Sequence, residues 1–441
     1  MNGKELLQQR GEFVATGIIK NIAGESNKVY NSGWIGSNVT ISLNIDGRTQ
    51  KIKVFGGVGK SEFPVRVFLK DGEGKVLRDE AGKTITQQIP VDSYDPNTFL
   101  TFDAREVFEW GEKDSNGKNT KIVHIHELTD GRFANRLLEN KDMLLGKRVM
   151  IKGTVSFKPT QNFDKVQAEM SPTQITILQP VEDGKQTVDK FVINSPIVIN
   201  KEAIGETTNG ILPIFVPVYH KYLTPQVKEG RQVKGRNVYI PITVMVKEKG
   251  FMNIDETYGF SIADRSAILL NKINAVAADA NMVAMRVCLS NKSGIVEREI
   301  NIEDLLNDQV YGASAKKAVA EDNVENFLKM YRQINPYTVR GEYKQEIDFI
   351  APLQINIKKE DGTSDYRDAI CGIDPQMIEI MSLDKLQQET EDMKNGAQKP
   401  MSQPQSKPQE KIPTINTPKK MDIPTPPMSV EDVVDMDAFP F

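Results

Sequence analysis

Short runs of β-branched and aromatic residues alternating with polar ones fill the first 180 positions. Phe13 to Ile19, Val39 to Ile45 and Gln50 to Phe55 each have the length and composition of a strand. Asp46-Gly47, between the last two, is a pair suited to a tight hairpin turn, so they are expected to pair antiparallel. Val65 to Lys70 alternates in the same way before Asp71-Gly72, and Lys147 to Val155 and Ile175 to Leu178 supply two later strands. Gly131 to Leu138 reads as a helix inserted between the early and late strands. Five or more strands, a helix between the third and fourth, and a late Gly-Lys-Arg-Val-x-Ile-x-Gly strand fit an elaborated OB barrel, a pattern that a generic β-sandwich partly shares.

Residues 186–382 mix periods. Val238 to Val246, Ile347 to Ile350 and Ile355 to Ile357 carry strand patterns, whereas Ser261-Ile262-Ala263-Asp264 opens an Ala-, Ile- and Leu-rich helix running to about Ala280. Val324, Phe327, Leu328 and Tyr331 recur at helical spacing and predict an amphipathic helix against a core. A second OB-like barrel and a different α+β module both fit, and no fixed-period repeat decides between them. Turn formers and charge at Gln179 to Lys185 mark a boundary. The chain thus reads as mainly β with α+β additions: an OB-like domain over 1–183 and a second domain over 184–382. From 383 to 428 Pro, Gln, Ser, Thr and Lys dominate, with too little apolar surface to offset ordering entropy, so this segment is expected to be a disordered linker before an acidic tip at 429–441. A random coil of about 45 residues reaches roughly 35–40 Å.

Composition narrows the class. The chain has 441 residues, 39% of them hydrophobic, enough for two cored domains. Its two cysteines, Cys288 and Cys371, have no CxxC partner, which fits a reducing cytoplasm. The first residues lack an apolar signal-like region, and no stretch nears the roughly 18 apolar residues of a membrane helix, so a soluble cytoplasmic protein without a membrane partner is expected. Net charge is −4. Since Glu431, Asp432, Asp435 and Asp437 account for much of it, the body is near neutral, which excludes nucleic-acid binding by bulk charge and leaves a local basic groove open.

No catalytic constellation is visible, so the chain is read as a non-enzyme without a cofactor. Gly56-Gly57-Val58-Gly59-Lys60-Ser61 is similar to the phosphate loop of deviant Walker ATPases, but that loop must lead from a strand into a helix, and here Pro64 and a further strand follow. A loop between strands is expected, with Lys60 able to touch phosphate. A nucleotide-binding helicase-loading factor is the corresponding rival, and it requires binding to be lost on Lys60→Ala. His124-Ile125-His126 places two imidazoles on one strand face with no third ligand nearby, so surface or groove histidines are expected rather than a metal site.

Binding single strands needs aromatic faces for bases and cations for phosphates on one surface. Alternation puts Lys51, Lys53 and Phe55 on one face of their strand, and Arg66, Phe68 and Lys70 on one face of the next. Trp34 and Trp110 sit beside glycines, where loop aromatics would be exposed. Lys147, Arg148, Lys152, Phe157, Lys158 and Phe163 form another mixed set around the late strands. Lys221, Tyr222, Arg231 and Arg236 belong to the most basic loop of the chain, which would extend a DNA path or form a solvated hairpin. Against these stands the plain reading that the charges are solvated exterior and the aromatics core.

The chain closes on Asp435-Met436-Asp437-Ala438-Phe439-Pro440-Phe441. Acidity, a terminal Pro-Phe and a preceding polar linker together resemble the bacterial and phage single-stranded DNA-binding proteins, with Ala438-Phe439 where that family usually has Asp-Ile. The resemblance covers about the last ten residues. It implies binding of single-stranded DNA by the body and recruitment of replication, recombination or repair proteins by Asp435, Asp437, Phe439, Pro440 and Phe441. The length of the body leans toward a phage-type replication protein. A structural or scaffold protein that docks through the same tip is the other rival, and it would bind no DNA.

Overall fold

The computed structural model describes residues 6–397 except 8–9, 31–32, 59–63, 73, 81, 97, 102–103, 116, 118, 180–188, 201–204, 206–207, 209–210, 223–226, 229–230, 233–235, 248–270, 272–281, 299, 337–340 and 359–363. Its strands are β1 (Gly11–Val29), β2 (Ile35–Ile45), β3 (Arg48–Val58), β4 (Val65–Leu69), β5 (Thr86–Ile89), β6 (Phe99–Leu100), β7 (Arg105–Lys113), β8 (Asn119–Glu127), β9 (Arg148–Pro159), β10 (Val166–Ile177) and β11 (Lys190–Asn200). They continue with β12 (Ile211–Tyr222), β13 (Val227–Lys228), β14 (Arg231–Gln232), β15 (Arg236–Lys247), β16 (Met282–Asn291), β17 (Gly294–Val296), β18 (Tyr343–Lys344), β19 (Ile347–Pro352), β20 (Gln354–Lys358), β21 (Ser364–Asp368) and β22 (Ile370–Ile373). The helices are α1 (Asp130–Glu139), α2 (Lys141–Leu144), α3 (Gly312–Ala320), α4 (Val324–Ile334) and α5 (Leu383–Ala397).

Asp46 and Gly47 have φ of 49° and 72°, the conformation a two-residue hairpin turn demands, and they fix β2 against β3 with Ile45 opposite Arg48. That register sends Val39, Ile41, Leu43, Ile52 and Val54 inward. β1 pairs with β2 along its second half and with β9 along its first, and β10 returns antiparallel on β9. These five strands and α1, inserted between β3 and β9, reproduce the expected OB arrangement. Thr129 caps α1 by accepting from the Arg132 amide, and Phe133, Ala134 and Leu137 enter the core.

The second region contains a closed five-strand barrel. β11 pairs with β12, β12 with β15, β15 in parallel with β19, β19 with β16, and β16 back onto β11. The order is that of an OB barrel, which decides between the two readings the sequence left open. Mostly β and OB-like is therefore the fold class. The two regions are joined: Glu12 to Thr16 of β1 pair with Lys190 to Asn194 of β11, and one continuous core holds Phe13, Ile52 and Ile151 together with Phe191, Val216, Ile240 and Met285.

Between β16 and β19 the chain makes an excursion. β17 pairs with Arg48 and Thr49 of β3, β18 pairs with β17, and α3 and α4 pack a small core of their own around Leu305, Ala315, Phe327 and Tyr331. The spacing of Phe327 and Tyr331 foretold α4. The helix expected over 261–280 falls, apart from residue 271, outside the described residues.

Two expectations need correction. α5 occupies the first fifteen residues of the stretch read as linker, and it docks because Leu386 is fully buried in the main core and Leu383, one turn earlier, packs against it. Trp110 lies within β7 rather than in a turn, packed edge-on against the buried Phe108 at 5.3 Å.

Candidate nucleic-acid interface

The outer face of β3 carries the clearest cluster. Inward Ile52 and Val54 force Lys51, Lys53 and Phe55 outward, and Phe55 is 57% exposed. Trp34 comes from the turn between β1 and β2, where Gly33 at φ 77° lets its amide donate to the Tyr30 carbonyl at 2.8 Å. The indole lies on bare backbone: a Cβ on Gly36 would stand 1.9 Å from the Trp34 ring, and one on Gly57 2.5 Å from it. Its centroid is 5.3 Å from Phe55 and 5.0 Å from Tyr30. The three rings form a tilted platform with Trp34 half-buried and Phe55 and Tyr30 open to solvent.

Beside the platform, a groove of about 310 Å3 separates β3 from β10, with Lys53, Phe55, Asn38, Lys158, Glu169 and Asp130 among its walls. The groove exists because, among the described residues, no ladder joins β3 to β10. Its carboxylates are partnered: Glu169 pairs with Lys158, and Asp130 accepts from Arg105 at 2.8 Å. An incoming phosphate would compete with Glu169 for Lys158, while exposed Lys53 stands on the opposite wall.

Gly56 and Gly57, at the start of the Gly56-to-Ser61 segment, have a packing role. β3 runs through both Gly56 and Gly57 to Val58, and a Cβ on Gly56 would come within 2.4 Å of the Gly131 nitrogen in the first turn of α1. Backbone approach of α1 accounts for Gly56, and the Ile35 carbonyl and the Trp34 ring account for Gly57; β3 carries both glycines and β4 follows the segment. Lys60 lies outside the described residues.

The remaining candidates disperse. Arg66, Phe68 and Lys70 belong to or adjoin β4, which pairs with β5 and β6 in a separate small sheet, so they do not extend the β3 face. Arg66 donates to the Thr86 hydroxyl at 3.3 Å and Lys70 to the Pro96 carbonyl at 2.7 Å. Lys147 is exposed at the start of β9, Lys152 is half-buried, and Arg148 is tied to Asp189 at 2.6 Å. Phe157 requires correction: it is 2% exposed within the main core, because it shares the inward register of Val149, Ile151 and Val155. Phe163, at φ 55° in the β9–β10 turn, packs partly against that core. Trp110, 43% exposed, lies beyond the end of β10 remote from the groove. The backbones of Lys221, Tyr222, Arg231 and Arg236 lie in the strands at the tip of the β12–β15 hairpin, and their side chains are outside the described residues. Asp435, Asp437, Phe439, Pro440 and Phe441 are also outside them. Alternation alone missed Tyr30, whose signal is its four-residue spacing from Trp34 across the Gly33 turn.

A solved structure resembles this chain. It is a deletion mutant of the single-stranded DNA binding protein from Thermus aquaticus, 9% identical, covering 65% of this chain and 87% of that one with a TM-score of 0.24. A superposition that loose adds nothing to the strand order. No known family model matches the chain, and no curated protein does. No helix among the described residues is long and apolar enough to cross a membrane.

The two histidines serve as partners on the β7–β8 hairpin. His126 Nδ1 lies 3.0 Å from Glu106 and its ring stacks on Tyr94, while His124 Nε2 lies 3.2 Å from Glu109. Hydrogen bonding from His126, reinforced by Lys121 and opposed by burial, holds the Glu106 carboxyl below the usual carboxylate range. A lowered carboxylate stabilises the fold above its unfolded pKa and loses that contribution as pH falls through the folded one. Glu106→Gln is thus expected to lower the thermal midpoint at neutral pH, with the gap to wild type closing as pH drops below the ordinary value of 4.5. A pH-independent gap in a melting series would assign the loss to packing.

Proposed function

We propose that this chain is a noncatalytic single-stranded DNA-binding protein acting in replication, recombination or repair. The Tyr30–Trp34–Phe55 platform beside Lys53 and Lys158 carries the reading. It lies on the second and third strands of the first barrel and on the loop joining the first two, the surface that OB barrels use for oligonucleotides. Stacking on three rings is tolerant of sequence because every base has a flat face. With few cations in the groove, affinity rests on stacking more than on charge. The acidic tip then serves partners: Phe441 enters an apolar pocket, Pro440 limits the freedom lost on docking, and Asp435 and Asp437 meet a basic rim.

The test is a titration of fluorescent oligo-dT of about 40 nucleotides, long enough for more than one barrel, against its duplex at two salt concentrations. The full chain and a version ending at Ala397, which keeps α5, are compared. Strand-selective, salt-sensitive binding retained by the shortened chain is the expected result. No binding by either version would leave a docking protein without a DNA-binding body.

A further inference from the structure

We infer that Tyr343, supplied by the excursion between the fourth and fifth strands of the second barrel, is a further base-stacking residue at the far end of the first barrel's DNA track. The inference rests on the DNA-binding reading above and extends it across both barrels. Ile295 of β17 pairs with Thr49 of β3, and Tyr343 of β18 pairs with the same Ile295. Directly paired residues share a sheet face, and alternate residues of one strand do too. Tyr343 consequently projects on the face that bears Thr49, Lys51, Lys53 and Phe55.

The spacing suits one continuous ligand. Six residues along β3 and two strands across separate Tyr343 from Phe55 by roughly 20 Å, and the exposed Lys51 and Lys53 lie between them. Tyr343 is 47% exposed, and Lys165, from the β9–β10 turn, places its ammonium 5.4 Å from the ring centroid. The ammonium lies over one face of the ring, so a base stacks on the other with its phosphate within reach of Lys165.

The position is also held. Gln345 donates to the Val166 carbonyl at 2.5 Å, joining β18 to the start of β10, and Arg48 pairs with Glu346 at 2.8 Å. β17, with β18 outside it, thereby occupies the β3 edge at Arg48 and Thr49, past the Lys53-to-Phe55 wall of the groove. The ligand is a single strand long enough to leave the Trp34 platform, run past Lys53 and Lys51, and reach Tyr343.

The experiment compares wild type, Phe55→Ala, Tyr343→Ala and Tyr343→Phe with oligo-dT of about 4 and about 16 nucleotides, the limits of footprint for one OB barrel. Tyr343→Ala is expected to weaken the 16-mer at least about fivefold and to leave the 4-mer unchanged. Phe55→Ala weakens both, and Tyr343→Phe keeps wild-type affinity. Equal 16-mer affinity for Tyr343→Ala and wild type, with Phe55→Ala still impaired, overturns the inference and leaves the DNA-binding reading standing. An equal loss in Tyr343→Phe overturns it too, since the ring is then not what binds. Failure of wild type to bind either oligonucleotide removes the DNA-binding reading itself.

Discussion

Replacing Phe133 with alanine is expected to lower the stability of the fold by about 3–5 kcal/mol. The side chain has no solvent exposure, and it fixes α1 to the core with Ala134 and Leu137. α1 cannot settle elsewhere to fill the space. Its first turn is held against Gly56 at backbone distance, its cap is set by Thr129, and Asp130 is tied to Arg105 at 2.8 Å. A helix so constrained relaxes little, and the cost of a cavity grows with the volume left open. Urea unfolding is the measurement. The expected signature is a lower midpoint at unchanged slope, whereas a changed slope would mean that the denatured or native state had itself changed in compactness.

Phe55→Ala is expected to reduce affinity for single-stranded DNA by about 5- to 150-fold, the range for losing one base–aromatic stack, with little change in the unfolding midpoint. The separation follows from burial: Phe55 is 57% exposed, so its truncation leaves no large cavity. Trp34→Ala behaves differently, because the indole fills the space above Gly36 and Gly57 and supports Phe55 from below. That variant is expected to lose both stability and binding. Phe55→Tyr, which retains a ring, is expected to bind like wild type. Anisotropy titrations at one fixed salt concentration, paired with melts of the same samples, separate these outcomes. Unchanged affinity in Phe55→Ala would remove the platform from the binding surface.

Much of the first barrel could be read from the chain because its strands have one wet face. In β2 and β3 the apolar residues alternate with polar ones and Asp46-Gly47 supplies the turn, so the existence of both strands and the outward set Lys51, Lys53 and Phe55 followed from period alone, while their outer ends run four residues earlier in β2 and three later in β3 than the alternation marked. β16 lacked that signal. Nearly every residue from Val283 to Asn291 is buried, so Met-Val-Ala-Met-Arg-Val-Cys-Leu-Ser-Asn shows no alternation to mark it as a strand. Phe157 failed for a related reason: a phenylalanine among lysines reads as surface in sequence, yet the register of β9 turns it inward.

The sequence by itself determined those local elements of this protein that have one wet face or a marked turn, such as β2, β3 and α4, since turn chemistry, alternation and helical spacing act over a few residues and need no distant partner. It also carried the acidic Phe-Pro-Phe tip, whose meaning lies in composition and order. Tertiary structure alone decided which elements meet. That Trp34 lies on glycines 36 and 57, that Lys158 faces Lys53 across a groove, that β11 continues the sheet of β1, and that Tyr343 joins the β3 face from nearly 300 residues away all depend on strand order and closure. Those are set by the summed burial of a core shared between two barrels, a quantity distributed over the whole chain and written at no single position within it.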